Sequence, residues 1–253
     1  MIYGLYLSTA GMITQQYRQD VIANNVANVE TASFKRDVAI FRARQNAAAE
    51  SPQAMRFAQP VLDDLGGGLL ANPTYTVFEQ GGMDVTDENL DLTINGHGFF
   101  AVQGEDGAIR YTRDGRFALD TEGFLTTVDR LGRVLNPDGL PVQIMPDLPV
   151  HVGSDGAVSQ AGQVVGRIGL SDFDNRQMLR KVGGNYYEAP AGTAVRQVPA
   201  KFRAGAIERS TVDPTTELVA MIQAQRAYEA NASLIRIQDQ TLSRVVNDLA
   251  RNV

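Results

Sequence analysis

The sequence predicts a mixed α and β fold, in which long N- and C-terminal helices pack together, as in a coiled coil, around an inserted all-β domain rich in meanders. Three features of the 253-residue chain indicate this fold. An apolar stripe with a repeat of 3.5 residues runs through the C-terminal part, and a second amphipathic stripe occupies the N-terminus. Glycine is concentrated between them, since two glycines precede residue 66, twenty-two lie at 66–205 and none follows.

The N-terminal stripe predicts a helix of about 25 residues. Its apolar positions fall at steps of three and four and continue after a shift; they are Tyr3, Tyr6, Ala10, Ile13, Tyr17, Val21, Ile22 and Val26. A helix of this kind needs a packing partner to be stable in water. We therefore expect it to meet the C-terminal helix.

The central part of the chain is predicted to be a series of short β-strands. Four Asp-Gly pairs, at 106–107, 114–115, 138–139 and 155–156, accompany Asn95-Gly96, and such pairs accept the positive φ angles of tight hairpin turns. Short alternating or aromatic runs lie between these pairs. We therefore divide the chain into a discontinuous helical polymerisation domain at 1–35 and 206–253, a connector at 36–75 and a β-rich domain at 76–205.

The C-terminal stripe is unusually long for a globular helix. It runs through Leu218, Met221, Gln225, Tyr228, Ala232, Ile235, Asp239, Leu242, Val246, Leu249 and Val253, and only Gln225 and Asp239 are polar. Asp213 before Pro214 supplies a helix start, from which the stretch would measure about 60 Å at 1.5 Å per residue. Such a repeat is typical of helices that pack lengthwise against other helices, with single polar positions that fix their register. The alternative is a helix lying across its own β-domain.

Composition and motifs argue against several functions. The net charge is −6, which argues against a nucleic-acid partner, and no apolar run reaches the ~20 residues of a membrane span. No basic residue precedes Arg18, so we expect no cleaved signal peptide. The chain lacks cysteine, and His97 and His151 lie outside any known catalytic motif. We expect no enzymatic activity, no cofactor and no catalytic, cofactor-binding or metal site.

Several stretches resemble flagellar rod and hook proteins, the axial family of the bacterial flagellum. Residues 20–36, DVIANNVANVETASFKR, resemble the N-terminal signature of that family, with three asparagines at fixed spacing. Residues 90–100, 111–117 and 120–125 are similar to its β-core, and residues 210–217 and 221–231 to its terminal helix. In length and in its N-terminal pattern the chain is most similar to the distal or proximal rod subunits of the basal body.

This resemblance implies a structural subunit of the basal-body rod that self-assembles through its terminal helices into a hollow, torque-transmitting shaft. Its partners would be copies of itself, other rod and hook subunits, and the flagellar type III export apparatus. It would lie in the basal body, spanning the periplasm, without insertion into the membrane. The alternatives are another axial subunit, of proximal-rod or hook-like position, or a cell-wall-binding β-domain protein.

The resemblance also points to particular residues. The expected assembly interface comprises Tyr6, Ile13, Tyr17, Asn24, Asn25, Asn28, Leu218, Met221, Gln225, Tyr228, Ile235, Asp239, Leu242, Val246 and Leu249, with the three asparagines hydrogen-bonding between neighbouring helices. Phe34 with Val38 resembles a short export motif. Ser33 stands where the family usually has glycine, so a positive φ there would strain the backbone.

Overall fold

The computed structural model describes residues 2–44, 68–146 and 148–251, with side chains between residues 3 and 247. The chain forms two compact units. Unit 1 comprises Met1–Ala27, Asp37–Thr76 and Asp213–Val253, and unit 2 comprises Asn28–Arg36 and Val77–Val212. These boundaries differ from the predicted ones, because 28–35 and 206–212 belong with the β-strands and the described part of the connector belongs with the helices.

Unit 1 is built on two helices, α1 at Ile2–Ala27 and α2 at Pro214–Arg251. They pack together lengthwise, which confirms the predicted association of the terminal helices. Asp213 begins α2, since its carboxylate accepts hydrogen bonds from the backbone of Thr215 and Thr216 at 3.3 and 3.2 Å. These contacts satisfy donors that the first turn of a helix otherwise leaves free.

Four short strands complete the described part of unit 1: β1 (Asp37–Val38), β2 (Phe41–Ala43), β3 (Leu69–Ala71) and β4 (Tyr75–Thr76). β1 pairs antiparallel with β4, and β2 with β3. They contact α1, where the Tyr17 ring packs edge-on against Phe41 at 6.2 Å and the Tyr17 hydroxyl donates to the Asn72 carbonyl at 3.3 Å. The predicted connector is thus part of the helical unit in its described residues; residues 45–67 lie outside them.

Unit 2 consists of short strands and one turn of 3₁₀ helix at Arg176–Met178. The strands are β5 (Met83–Val85), β6 (Leu92–Ile94), β7 (Phe99–Gly104), β8 (Ile109–Thr112), β9 (Phe117–Leu119), β10 (Leu125–Thr127), β11 (Gly132–Val134), β12 (Val150–Val152), β13 (Ala157–Gln160), β14 (Gln163–Arg167), β15 (Leu170–Phe173), β16 (Arg180–Gly183), β17 (Tyr186–Glu188), β18 (Val195–Val198), β19 (Phe202–Ala204) and β20 (Ala206–Glu208). This confirms a large all-β region between the two helices.

The strands of unit 2 pair antiparallel. The largest sheet has the order β16-β17-β8-β7-β11-β10-β9, and β15 joins it by pairing with β7 and carries β18 on its other side. A second sheet has the order β12-β13-β14, and two further pairs are β6–β19 and β5–β20. Aliphatic and aromatic side chains from these strands, among them Phe100, Val102, Val134 and Leu170, form the main core.

One predicted turn has a different role. Gly107, Gly139 and Gly156 adopt positive φ as their Asp-Gly pairs predict, whereas Gly115 does not. A Cβ at Gly115 would lie 1.7 Å from the Leu92 carbonyl oxygen, so this glycine serves a close backbone approach. The pair at 114–115 was therefore wrongly predicted as a positive-φ turn.

Candidate assembly surfaces

The predicted interface residues of α1 divide between surface and interior. Tyr6 and Ile13 are 48% and 61% exposed, while Tyr17 is half-buried against the strands of unit 1. Residues 2–17 contain no charged side chain at all. An uncharged helix surface with exposed aromatic and branched side chains is unfavourable in water, so this face of α1 is suited to a contact with another molecule.

The predicted stripe on α2 also contains both half-buried and exposed residues. Met221, Tyr228, Ile235 and Leu242 are half-buried, whereas Leu218, Gln225, Asp239 and Val246 are exposed. The Leu249 side chain lies outside the described residues. The exposed members include two large apolar side chains, Leu218 at 51% and Val246 at 63%. One edge of the stripe is therefore exposed in the described part of the chain, and its two polar members lie on that edge.

The three asparagines occupy different environments. Asn25 is buried and its side chain is fully engaged inside unit 1, as its Nδ2 donates to the Asp37 carbonyl at 2.8 Å and to a Glu217 carboxylate oxygen at 3.3 Å. Its Oδ1 accepts from the Asp37 N–H at 3.0 Å. Asn24 is exposed, and Asn28 accepts from the Thr31 hydroxyl at 3.2 Å in a turn of unit 2. Asn25 thus joins two helices of the same chain.

A buried ion cluster holds the segment that follows α1 inside unit 2. Lys35 is fully buried, and its ammonium donates to a Glu208 carboxylate oxygen and to the Glu79 carbonyl, both at 2.5 Å. Arg113 contacts the other Glu208 oxygen at 3.3 Å, and the Gly81 N–H donates to the first at 2.7 Å. Burial lowers the pKa of the Lys35 ammonium, against the opposing effect of Glu208. The cluster attaches residues 28–36 to β20.

Ser33 adopts the positive φ that its place in the sequence suggested, at +59°. It is buried; its N–H donates to the Glu208 carbonyl at 2.7 Å and its hydroxyl to the Arg113 carbonyl at 2.8 Å. The left-handed conformation is strained for serine, but the Ser33 hydroxyl forms a hydrogen bond to Arg113 that glycine could not form.

The two residues of the expected export motif are not displayed together on a surface. Phe34 is buried in unit 2, where the Lys181 ammonium lies 4.5 Å from the centre of its ring, and Val38 is half-buried in β1 of unit 1. A role for them in export would apply to the unfolded chain. That role stays a prediction.

Sequence reasoning missed the partners of Lys35 and Asn25. Glu208 is 173 residues from Lys35 along the chain, and Glu217 is 192 residues from Asn25. Neither acid stands in a motif. A buried cation requires a counter-charge, but no local pattern around Lys35 identifies the acid that supplies it.

Within 2–44, 68–146 and 148–251, no cluster of three or more histidine, aspartate and glutamate side chains is placed to hold a metal ion. No helix in these same ranges is both long and apolar enough to cross a membrane. A groove of about 630 Å³ on unit 2 is lined by Gln103, Arg130 and Arg133, among others, and Arg133 is held there by Glu122 at 2.9 Å.

Paired long helices with exposed apolar side chains, in a chain that also contains a β-rich unit, are typical of a protein that assembles with other subunits. Three family models agree with this class. Residues 5–35 match the flagella basal body rod protein model, residues 93–165 the flagellar hook protein FlgE/F/G D1 domain, and residues 203–249 the flagellar basal body rod FlgEFG protein C-terminal model.

Curated relatives cover nearly the whole chain. The chain is 36% identical to the flagellar basal-body rod protein FlgG of Buchnera aphidicola subsp. Schizaphis graminum, over 97% of this chain and 99% of the relative. It is 39% identical to FlgF of Caulobacter vibrioides, over 91% of both, and 34% identical to FlgG of Bacillus subtilis, over 98% and 99%. The chain belongs to the family of flagellar basal-body rod proteins.

Proposed function

We propose that this chain is a structural, non-enzymatic subunit of the flagellar basal-body rod, and that it polymerises through α1 and α2 into a hollow shaft that transmits torque. The observation that carries this proposal is the open apolar surface of unit 1. Ile13 on α1 and Val246 on α2 are each more than 60% exposed. Burial of such side chains against neighbouring copies would stabilise a polymer.

The proposed partners follow from the same surface. Copies of this chain and related rod and hook subunits would bury the exposed edge of α2, where Gln225 and Asp239 would fix the register between chains. Contacts between unlike faces of identical subunits generate open helical assemblies. Asn24 is exposed, whereas Asn25 serves the interior of unit 1.

The proposal also covers the export of the chain and its location in the flagellum. The chain would pass unfolded through the type III export apparatus without a cleaved signal and would assemble in the basal body, spanning the periplasm. The matched relatives carry the names of both FlgG and FlgF. A proximal-rod or hook-like position is therefore the alternative within the same function.

Substitution of one exposed apolar residue on each helix tests the role of the helices. We expect Ile13→Asp and Val246→Asp each to reduce the assembled fraction at least tenfold, measured by sedimentation of the full-length chain and by swimming of cells that carry the variant as their only copy. Because both side chains are exposed, the monomer should keep its unfolding midpoint. Val164→Asp is the matched control, since Val164 is 68% exposed on β14 of unit 2.

Two results would contradict the proposal. One is normal assembly and swimming of both helix variants. The other is an equal loss of assembly in the Val164→Asp control, which would assign polymerisation to the β-rich unit instead of the helices.

A further inference from the structure

The two helices of unit 1 face each other at positions that repeat every seven residues. Gly4 faces Gln238, and Gly11 faces Asn231. A Cβ on Gly4 would lie 2.9 Å from Gln238 Nε2, and a Cβ on Gly11 would lie 3.0 Å from Asn231 Oδ1. Each glycine thus leaves a space beside the α1 backbone that an amide side chain of α2 fills; we call these two positions the glycine notches.

A third facing pair continues the same repeat. Asn25 lies fourteen residues after Gly11, and Glu217 lies fourteen residues before Asn231, in the sense expected of antiparallel helices. Asn25 Nδ2 donates to the Glu217 carboxylate at 3.3 Å, and both side chains are buried. We call this pair the polar rung. Ala224, at the intervening heptad position of α2, is also buried.

The Gly11 notch alone does not define one register. A heptad repeat returns the same faces of two helices to each other after seven residues, which is about 10 Å along the axis. A slide of α2 by one heptad would place Gln238 in the notch of Gly11, where an amide again fills the space, and Val245 beside Gly4. The Gly11 notch therefore accepts an amide in two registers, whereas the Gly4 notch does so only in the native one.

The polar rung distinguishes these registers. After the same slide, Ala224 would stand opposite Asn25, and alanine offers no side-chain acceptor. The Asn25 amide would lose its carboxylate partner while its bonds to Asp37 hold it in place, at 2.8 and 3.0 Å. Because a buried donor would lose its charged acceptor, the population of the slipped register should be lower than that of the native register by about tenfold or more.

We propose that the Asn25–Glu217 rung selects the register of the α1–α2 pair among the heptad registers that the Gly11 notch permits. This register decides which residues of the two helices stand side by side on the open face of unit 1. A slipped pair would displace the exposed residues of α2 by about 10 Å relative to those of α1. The selection takes place within one chain and does not require a polymer.

Engineered cysteines report the register directly, because the natural chain has none. A Cβ on Gly11 would lie 3.2 Å from Asn231 Cγ, so Gly11→Cys with Asn231→Cys brings two Cβ atoms within disulfide range in the native register. Gly11→Cys with Gln238→Cys does so only after a slide of one heptad. Each pair is placed in the full-length chain at a concentration where it is monomeric, and intramolecular disulfide is measured after mild oxidation.

In the parent chain we expect the 11/231 disulfide to exceed the 11/238 disulfide at least tenfold. Glu217→Ala should raise the yield of the 11/238 disulfide relative to 11/231 at least tenfold. Glu217→Gln keeps an acceptor oxygen and should leave this ratio within about twofold of that in the parent chain. The double variant Glu217→Ala/Ala224→Glu moves the acceptor by one heptad. It should make 11/238 the dominant disulfide, and it tests the selection even where Glu217→Ala alone loses helix content.

Three outcomes would overturn the proposal: equal 11/231 and 11/238 disulfides in the parent chain, an unchanged ratio in Glu217→Ala, or a dominant 11/231 disulfide in the double variant. All three are measured on monomers. A failure of the rod to assemble would leave these results unaffected, so the register and the polymer are tested separately.

Discussion

Lys35 carries its charge at a position that solvent does not reach. It shares the Glu208 carboxylate with Arg113, so one buried acid is opposed by two buried cations. Removing one member of a buried ion pair is strongly destabilising because the remaining charge loses its partner. Loss of Glu208 would leave two buried cations, Lys35 and Arg113, without this partner. The cluster is thus a requirement for docking residues 28–36.

We therefore expect Glu208→Gln to destabilise the protein more than Lys35→Met. The loss for Lys35→Met should be about 3 kcal/mol in the free energy of unfolding, since Glu208 keeps Arg113. Urea unfolding of the full chain measures both. Lys201→Met, at an exposed lysine, is the control and should change stability by less than about 0.5 kcal/mol. Equal stability of all three variants would show that the cluster does not hold the segment.

Ser33 makes a second prediction about the same segment. Ser33→Ala keeps the left-handed φ strain and loses the hydrogen bond to the Arg113 carbonyl, whereas Ser33→Gly loses the bond but relieves the strain. Glycine at this position should be more stable than alanine by about 1–2 kcal/mol. Thermal unfolding of the two variants gives the comparison, and a more stable alanine variant would contradict a strained Ser33.

The sequence revealed the special backbone at Ser33 but not the ion cluster. A departure from a family glycine can be recognised at a single position, because glycine has a known conformational use. The pairing of Lys35 with Glu208 depends on how strands distant in sequence come together. Local patterns contain no information on such contacts.

At the scale of elements, the helices were predictable and their facing surfaces were not. Periodicity located the apolar stripe of α2, yet the row of α2 that faces α1 is Glu217, Ala224, Asn231 and Gln238. Apolar periodicity does not detect a row of small and polar side chains. Residues of the predicted stripe lie to one side of this row, which is why part of the stripe stays exposed.

The N-terminal cap of α2 makes a pH-dependent prediction. The Thr216 hydroxyl, with the backbone N–H groups of Thr215 and Thr216, holds the pKa of Asp213 below its usual range. A lowered carboxyl pKa contributes stability above the ordinary value near 4, and that contribution is lost as the pH falls through the folded pKa. We expect the helix content of α2 to fall in acid, as measured by circular dichroism between about pH 5 and 2.

Asp213→Asn is the matched control for the cap. Asparagine remains a good N-cap residue but carries no carboxylate, so the variant should lack the acid-dependent part of the loss. The same acid response in the parent chain and in Asp213→Asn would assign the transition to other groups.

At the scale of the whole molecule, the chain passes from unit 1 into unit 2 and back more often than the sequence suggested. Residues 28–36 belong to unit 2, while 37–76 return to the helices. The expected division placed these boundaries by composition, which marks turns and helices but does not reveal the Lys35 cluster or the pairing of β1 with β4. The general architecture of terminal helices around a β-rich part was nevertheless predicted, since it depends on glycine distribution and periodicity.

The most direct test of the central claim is electron cryomicroscopy of assembled full-length chain. The proposed function predicts a tube in which α1 and α2 of neighbouring copies pack side by side around the bore, with Ile13 and Val246 buried between chains and the β-rich units outside. A filament in which neighbouring copies contact each other only through their β-rich units, with the helices free of intermolecular contact, would contradict it.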